Sequence, residues 1–152
     1  METVDVIIPA YRPGKEFEKL LDSLSTQNYP VEKILVMNTE EKFWNTAWEK
    51  KFPKVNVVHL KKADFAHGGT RCRGARLSDS DIMVFMTQDA VPADRNLIGN
   101  LIRPLQENSK VGAAYARQLA REDCAYLEKY TRRYIRRWST SRISAFFIIE
   151  RL

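Results

Sequence analysis

The sequence predicts an α/β protein, three layers deep (α/β/α), with a mostly parallel sheet. Three observations carry this. Short, near-continuous apolar runs recur along the 152 residues, as strands buried on both faces require. Stretches with apolar residues at helical spacing separate those runs. Strand and helix therefore alternate along the chain, the pattern of a parallel sheet covered on both sides. No internal repeat or linker interrupts it.

Val4-Asp5-Val6-Ile7-Ile8-Pro9 is rich in β-branched residues and ends at a proline, which suits a buried strand. Pro13-Gly14 breaks the chain. Phe17, Leu20, Leu21 and Leu24 then predict an amphipathic helix over 15–27, closed by Asn28-Tyr29-Pro30. Lys33 to Asn38 reads as a second buried strand. Phe43, Ala47 and Trp48 share a helical face within 41–51, and Val55 to Leu60 reads as a third strand. His67-Gly68-Gly69 reads as a turn into a short helix near 70–77. Asp81 to Met86 is a fourth strand, ending at Thr87-Gln88-Asp89. Asp94 is placed to cap a helix running to about 107, with Leu97, Ile98, Leu101 and Leu105 on its core face and Pro104 inside it. Val111 to Tyr115 reads as a fifth strand, and residues 121–138 as a helix.

Composition narrows the function. Hydrophobic residues at 44% with only 6 Gly and 6 Pro argue against disordered and collagen-like classes. No apolar run approaches the roughly 18 residues of a membrane span. The start, Met1-Glu2-Thr3-Val4-Asp5, lacks the basic and apolar regions of a secretory signal. Cys72 and Cys124 form no CxxC pair, so a reduced, cytoplasmic protein is expected. The net charge of +6 is uneven: residues 121–152 hold 8 Lys+Arg against 4 Asp+Glu. A basic tail of this kind suits an anionic partner or, equally, a solvated helix face.

In parallel α/β folds ligands bind beyond the carboxyl ends of the strands. That rule selects the loops 9–14, 38–41, 64–71 and 87–94. Neither a GxGxxG nor a GxxxxGK[ST] phosphate cradle is present, which argues against an ordinary NAD enzyme or ATPase. Asp89 is the sharpest candidate, because it follows a buried strand at the ligand edge. A carboxylate there suits Mg²⁺ or Mn²⁺, which take one or two carboxylates together with substrate phosphates. A turn-capping role is the alternative.

Four motifs in order narrow the reading further: Asp5-Val6-Ile7-Ile8-Pro9-Ala10-Tyr11-Arg12-Pro13-Gly14, Phe65-Ala66-His67-Gly68-Gly69-Thr70-Arg71, Phe85-Met86-Thr87-Gln88-Asp89-Ala90-Val91-Pro92 and Tyr115-Ala116-Arg117-Gln118-Leu119. Together they resemble family 2 glycosyltransferases, in particular the bacterial rhamnosyltransferase branch, over residues 3–134. The resemblance implies a GT-A fold and inverting transfer from a nucleotide sugar, dTDP-L-rhamnose, in cell-surface polysaccharide assembly. It implies that Pro9 and Tyr11 line the base and ribose and that Glu40 lies near the base. His67, Gly68 and Arg71 would border the nucleotide and diphosphate. Asp89 would bind the metal with Gln88 beside it, and Arg117 and Gln118 would lie near the donor sugar or the acceptor. The chemistry suits these roles. A divalent cation or an arginine fork stabilises charge on the departing diphosphate, and the acceptor hydroxyl needs a base. Each has a plainer alternative: His67 as a turn residue, Arg71 as a surface helix residue, Arg117 and Gln118 as partners of nearby carbonyls. His59, Trp44 and Trp48 read as packing or surface, and Asp64 as a loop residue.

Two departures from the family pattern stand out. Cys72 occupies a position where relatives carry Asn, and a thiol cannot supply the amide's hydrogen bonds. After Tyr134 the chain leaves the family pattern, so residues 1–134 read as a partial nucleotide-sugar-binding domain and 135–152 as a divergent basic and aromatic tail. The acceptor half and the base have no counterpart, which predicts donor binding rather than full transfer. The expected partners are a nucleotide-sugar donor and a glycan or lipid-linked acceptor. The tail, with Arg132, Arg133, Arg136 and Arg137 among aromatics and Phe146-Phe147-Ile148-Ile149 as an apolar anchor, carries the alternative function. That alternative is a non-catalytic module on an anionic membrane surface, at the inner face of the cell membrane, with nucleic acid less favoured. Homo-oligomers stay open, because an incomplete sheet exposes an edge.

Overall fold

A computed structural model describes residues 1–116 and 148–151 of the chain. Strands β1 (Val4–Tyr11), β2 (Lys33–Thr39), β3 (Val55–Leu60), β4 (Ile82–Phe85) and β5 (Ile148–Arg151) form one sheet in the order β3-β2-β1-β4-β5. The first four are mutually parallel, as the apolar runs predict, and β5 lies antiparallel against β4. The helices are α1 (Lys15–Ser25), α2 (Ala47–Lys51), α3 (His67–Ala75) and α4 (Leu97–Glu107).

The two-residue period of the strands divides the core in two. Val4, Val6, Ile8 and Ala10 of β1 face α1 and α4, where Phe17, Leu20, Leu21, Leu24, Ile98 and Ile102 are fully or almost fully buried. Trp44 and Trp48 pack edge-on at 5.1 Å and close this side with Phe17, the packing role expected of them. Ile7, Leu35, Met37, Met83 and Phe85 face the other way, toward α3. Helix α3 sits so close that a Cβ built on Gly74 would lie 2.6 Å from Ile7 Cγ2. The buried Asp5 carboxylate stitches the amino edge: Oδ1 accepts the Lys33 N–H at 3.1 Å and Oδ2 the Ser78 hydroxyl at 2.7 Å.

Several expectations change. The 41–51 helix divides into a 3-10 turn at Glu41–Phe43 and the short α2. The break falls at Asn45, whose side chain accepts the Ala47 N–H at 3.1 Å. Helix α4 begins at Leu97 behind Asn96 rather than at Asp94, and runs through Pro104. The Asp94 carboxylate instead accepts the Asn96 N–H at 2.7 Å, while Gln27 Oε1 accepts from Ile98 N–H at 3.1 Å. Val111 to Tyr115 is not a strand: Asn108 turns the chain, its carbonyl accepting from Val111 N–H, and small residues follow. The fifth strand is Ile148–Arg151, so the backbone of Ile148 and Ile149 pairs in the sheet rather than forming a free apolar anchor. The predicted 121–138 helix, the boundary at 134 and the tail arginines 132–142 lie outside the described residues. Among the described residues no helix is long and apolar enough to cross a membrane.

Candidate functional site

The carboxyl ends of β1, β2 and β4 and the first turn of α3 meet on one edge of the sheet. β1 ends at Tyr11, and Arg12 follows with φ 49°, a left-handed conformation that costs a non-glycine residue about 1–2 kcal/mol. Its guanidinium carbon lies 5.1 Å from the Tyr11 ring centre and 4.6 Å from that of Phe43. Tyr11 and Phe43 meet edge-to-face at 5.9 Å. This aromatic corner is polar at its rim. Glu40, also left-handed at φ 64°, forms an ion pair with Lys42 at 3.0 Å. Lys42 chiefly, with smaller help from Tyr11, holds the Glu40 carboxyl below its ordinary value, against a desolvation penalty.

Asn38 and Thr39 close β2 beneath this corner and are both buried. Asn38 Nδ2 lies 3.1 Å from His59 Nδ1 and donates to the Glu40 carbonyl at 3.3 Å. Asn38 Oδ1 and Thr39 Oγ1 are buried without a hydrogen-bond partner among the described residues. Such groups are costly unless satisfied.

His67, Gly68 and Gly69 are not a turn before a helix but the first turn of α3 itself. The preceding residue, Ala66, has no side chain able to cap, and no side-chain cap is made. The first N–H groups of α3 therefore face the edge together with the positive end of the helix dipole, an arrangement suited to phosphate. Among the described residues a Cβ on Gly68 would meet nothing within 4 Å, so none of them requires glycine there. The His67 ring leans on Phe65 at 5.1 Å. Arg71 donates from Nη1 to the His67 carbonyl at 2.9 Å, and partial burial lowers its pKa. Cys72 is a free, exposed thiol.

The fourth component follows β4. Gln88 Oε1 accepts the Tyr11 N–H at 2.7 Å, and Gln88 Nε2 donates to the Tyr11 carbonyl at 3.1 Å. Asp89, next in sequence, is exposed. Among the described residues no group of three or more His, Cys, Asp or Glu gathers to cage a metal. A single exposed carboxylate at this edge is the kind of donor that a hard cation shared with substrate phosphates takes.

Eight of the ten site residues expected from sequence, Pro9, Tyr11, Glu40, His67, Gly68, Arg71, Gln88 and Asp89, border this edge, and Asn38 and Thr39 join them. Arg117 and Gln118 lie outside the described residues. Sequence reasoning missed Arg12, Phe43, Asn38 and Thr39. The signal was there for the last two, since polar residues ending an apolar strand sit at the ligand edge.

The family profile of glycosyl transferase family 2 matches residues 5–150, nearly the whole chain. The chain belongs to glycosyl transferase family 2. This glycosyltransferase chain is 29% identical over 132 residues to the O-antigen chain rhamnosyltransferase RfbN of Salmonella typhimurium, spanning 86% of the chain and 42% of that protein. It is 32% identical over 80 residues to the O-antigen chain rhamnosyltransferase WbaN of Salmonella anatum, covering 52% of the chain and 25% of that protein. It therefore spans less than half the length of these relatives. Among solved structures, the mannosyltransferase PcManGT of Pyrobaculum calidifontis, in complex with GDP-Man and Mn²⁺, superposes with a TM-score of 0.71. The identity there is 18%, over 99% of this chain and 44% of that one. That likeness establishes the GT-A fold.

Proposed function

We propose that this family 2 glycosyltransferase chain binds a nucleotide-diphospho-sugar, dTDP-L-rhamnose, at the carboxyl edge of its sheet, in an inverting transfer to a cell-surface polysaccharide or lipid-linked acceptor. The observation that carries the reading is the convergence of the uncapped first turn of α3, the exposed Asp89 and the aromatic corner of Tyr11 and Phe43. In this reading the base lies by Tyr11 and Pro9, with Glu40 and the buried Asn38 and Thr39 beneath it. The diphosphate lies on the N–H groups of His67, Gly68 and Gly69, with Arg71 beside it. Asp89 would hold Mn²⁺ or Mg²⁺, and a bound cation supplies Lewis-acid stabilisation of the departing diphosphate. Arg117 and Gln118 belong to the sugar or acceptor side.

The relatives named for O-antigen chain rhamnosyl transfer support the choice of rhamnose and of a surface glycan as acceptor. Transfer also needs a base for the acceptor hydroxyl, and no described residue is assigned to it; donor binding is the step this chain's residues support. The reading includes a cytoplasmic location with peripheral contact at the inner face of the membrane.

The test is calorimetric titration of dTDP-rhamnose and UDP-sugars into the chain, with and without Mn²⁺, alongside Asp89→Ala. Metal-dependent binding that weakens at least about tenfold in Asp89→Ala, a loss of about 1.4 kcal/mol, is expected. Absence of binding by the parent chain with any donor, with or without metal, would overturn the proposal.

A further inference from the structure

Gln88 stands next to Asp89 at the carboxyl edge of the sheet, yet its amide is engaged by the backbone. Both polar groups of that amide are engaged by one residue, Tyr11: the carbonyl oxygen accepts the Tyr11 N–H at 2.7 Å and the amino group donates to the Tyr11 carbonyl at 3.1 Å. The backbone explains why a side chain is needed there. β1 and β4 pair from Val4↔Ile82 to Ile7↔Phe85, and the last bond runs from Met86 N–H to the Ile7 carbonyl at 3.0 Å. β4 then stops, while β1 continues to Tyr11 with only β2 beside it. By the two-residue period, Ile7, Pro9 and Tyr11 present their main-chain groups to the same side. Pro9 has no N–H to leave unpaired where β4 departs. Tyr11 does, and the Gln88 amide takes the place of the missing strand.

The consequence lies in what each end of this brace carries. Tyr11 bears the aromatic corner with Phe43 and precedes the left-handed Arg12. Gln88 precedes Asp89 directly. We propose that Gln88 is a positioning residue, not a ligand contact: it locks the loop bearing Asp89 to the end of β1, so that the nucleobase side and the metal side of the donor site are held as one unit. The coupling rests on the nucleotide-sugar reading given above, whereas the brace itself does not.

Gln88→Met, of similar length without hydrogen-bonding groups, and Gln88→Glu separate this role from direct ligation. Glutamate keeps an acceptor for the Tyr11 N–H but turns a carboxylate oxygen toward the Tyr11 carbonyl, where the amide donated. The first readout is hydrogen exchange of the Tyr11 amide in the free protein. It should quicken about tenfold or more in Gln88→Met, with circular dichroism unchanged. The second is calorimetric binding of UDP or dTDP with Mn²⁺, for which both variants should bind about tenfold more weakly than the parent chain. If Gln88 instead faced the metal, Gln88→Glu would add a carboxylate beside Asp89 and tighten Mn²⁺-dependent binding, and that result overturns the proposal. Unchanged Tyr11 exchange in Gln88→Met overturns it as well. A parent chain that binds no nucleotide refutes the nucleotide-sugar reading, and the exchange experiment still decides the brace.

Discussion

Replacing Gly68 with alanine should make the protein slightly more stable and a worse nucleotide binder at once. Gly68 is the second residue of α3, its backbone is not left-handed, and a Cβ there meets nothing within 4 Å. Among the described residues no steric cost opposes the change. Alanine is favoured over glycine by roughly 0.8–1.0 kcal/mol inside a helix, and in the first turn about half of that is expected. For a chain of this size, about 0.5 kcal/mol corresponds to roughly 1–2 °C in Tm. In the proposed donor site, however, the diphosphate approaches the N–H groups of His67, Gly68 and Gly69, and the added methyl would crowd it there. Displacing it should weaken binding about tenfold or more, or about 1.4 kcal/mol. Thermal unfolding gives the first quantity and calorimetric titration of UDP or dTDP with Mn²⁺ the second. If Gly68→Ala binds nucleotide as tightly as the parent chain, the diphosphate does not lie on the first turn of α3, and the phosphate-binding account of that turn is wrong.

Gly74→Ala, six residues along the same helix, should behave oppositely. Its Cβ would lie 2.6 Å from Ile7 Cγ2 and 3.4 Å from Met37 Cγ, both on fully buried residues of central strands, so a net loss of about 1–2 kcal/mol is expected in urea unfolding after the helix-propensity gain. Asp81 gives a pH signature. The Thr3 N–H first, then its hydroxyl, both at 2.8 Å, hold the Asp81 carboxyl below its ordinary value. A lowered carboxyl pKa contributes stability that is complete above the unfolded-state value of about 3.9 and is lost as pH falls through the lower folded value. The urea midpoint of the parent chain should therefore drop more steeply below about pH 4 than that of Asp81→Asn, and identical profiles would count against this pair.

The four parallel strands and the amphipathic α1 and α4 were legible because apolar period and burial agree. Ile34 to Met37 and Ile82 to Phe85 are buried residue after residue, as their unbroken apolar runs demand. Val111 to Tyr115 failed for the converse reason: Gly112, Ala113 and Ala114 offer little side chain to bury, so the segment after the Asn108 turn packs against the core without joining the sheet. The start of α3 was misread because Ala66 gives no capping signal and Gly68-Gly69 resembles a turn. The candidate site was legible in its motifs but not in its division of labour. Nothing in Thr87-Gln88-Asp89 announces that the glutamine grips a backbone 77 positions away. The left-handed Arg12 and Glu40, and the burial of Asn38 Oδ1 without a partner among the described residues, are products of tertiary structure that no local pattern encodes.

The order of the sheet also sets a timetable for its assembly. β1 is made first but lies in the middle, so it can be joined on one side by β2 soon after synthesis, while β4 arrives some seventy residues later. The outer edge of β4 then waits for Ile148–Arg151, which covers it over all four residues. At ribosomal speeds of about 5–20 residues per second, that interval lasts roughly 3–13 s. For those seconds the nascent chain carries a complete, fully apolar strand with one row of main-chain groups unpaired, the kind of surface on which neighbouring chains add strands to one another. Strand β5 closes the vulnerability that the outer edge of β4 presents until then.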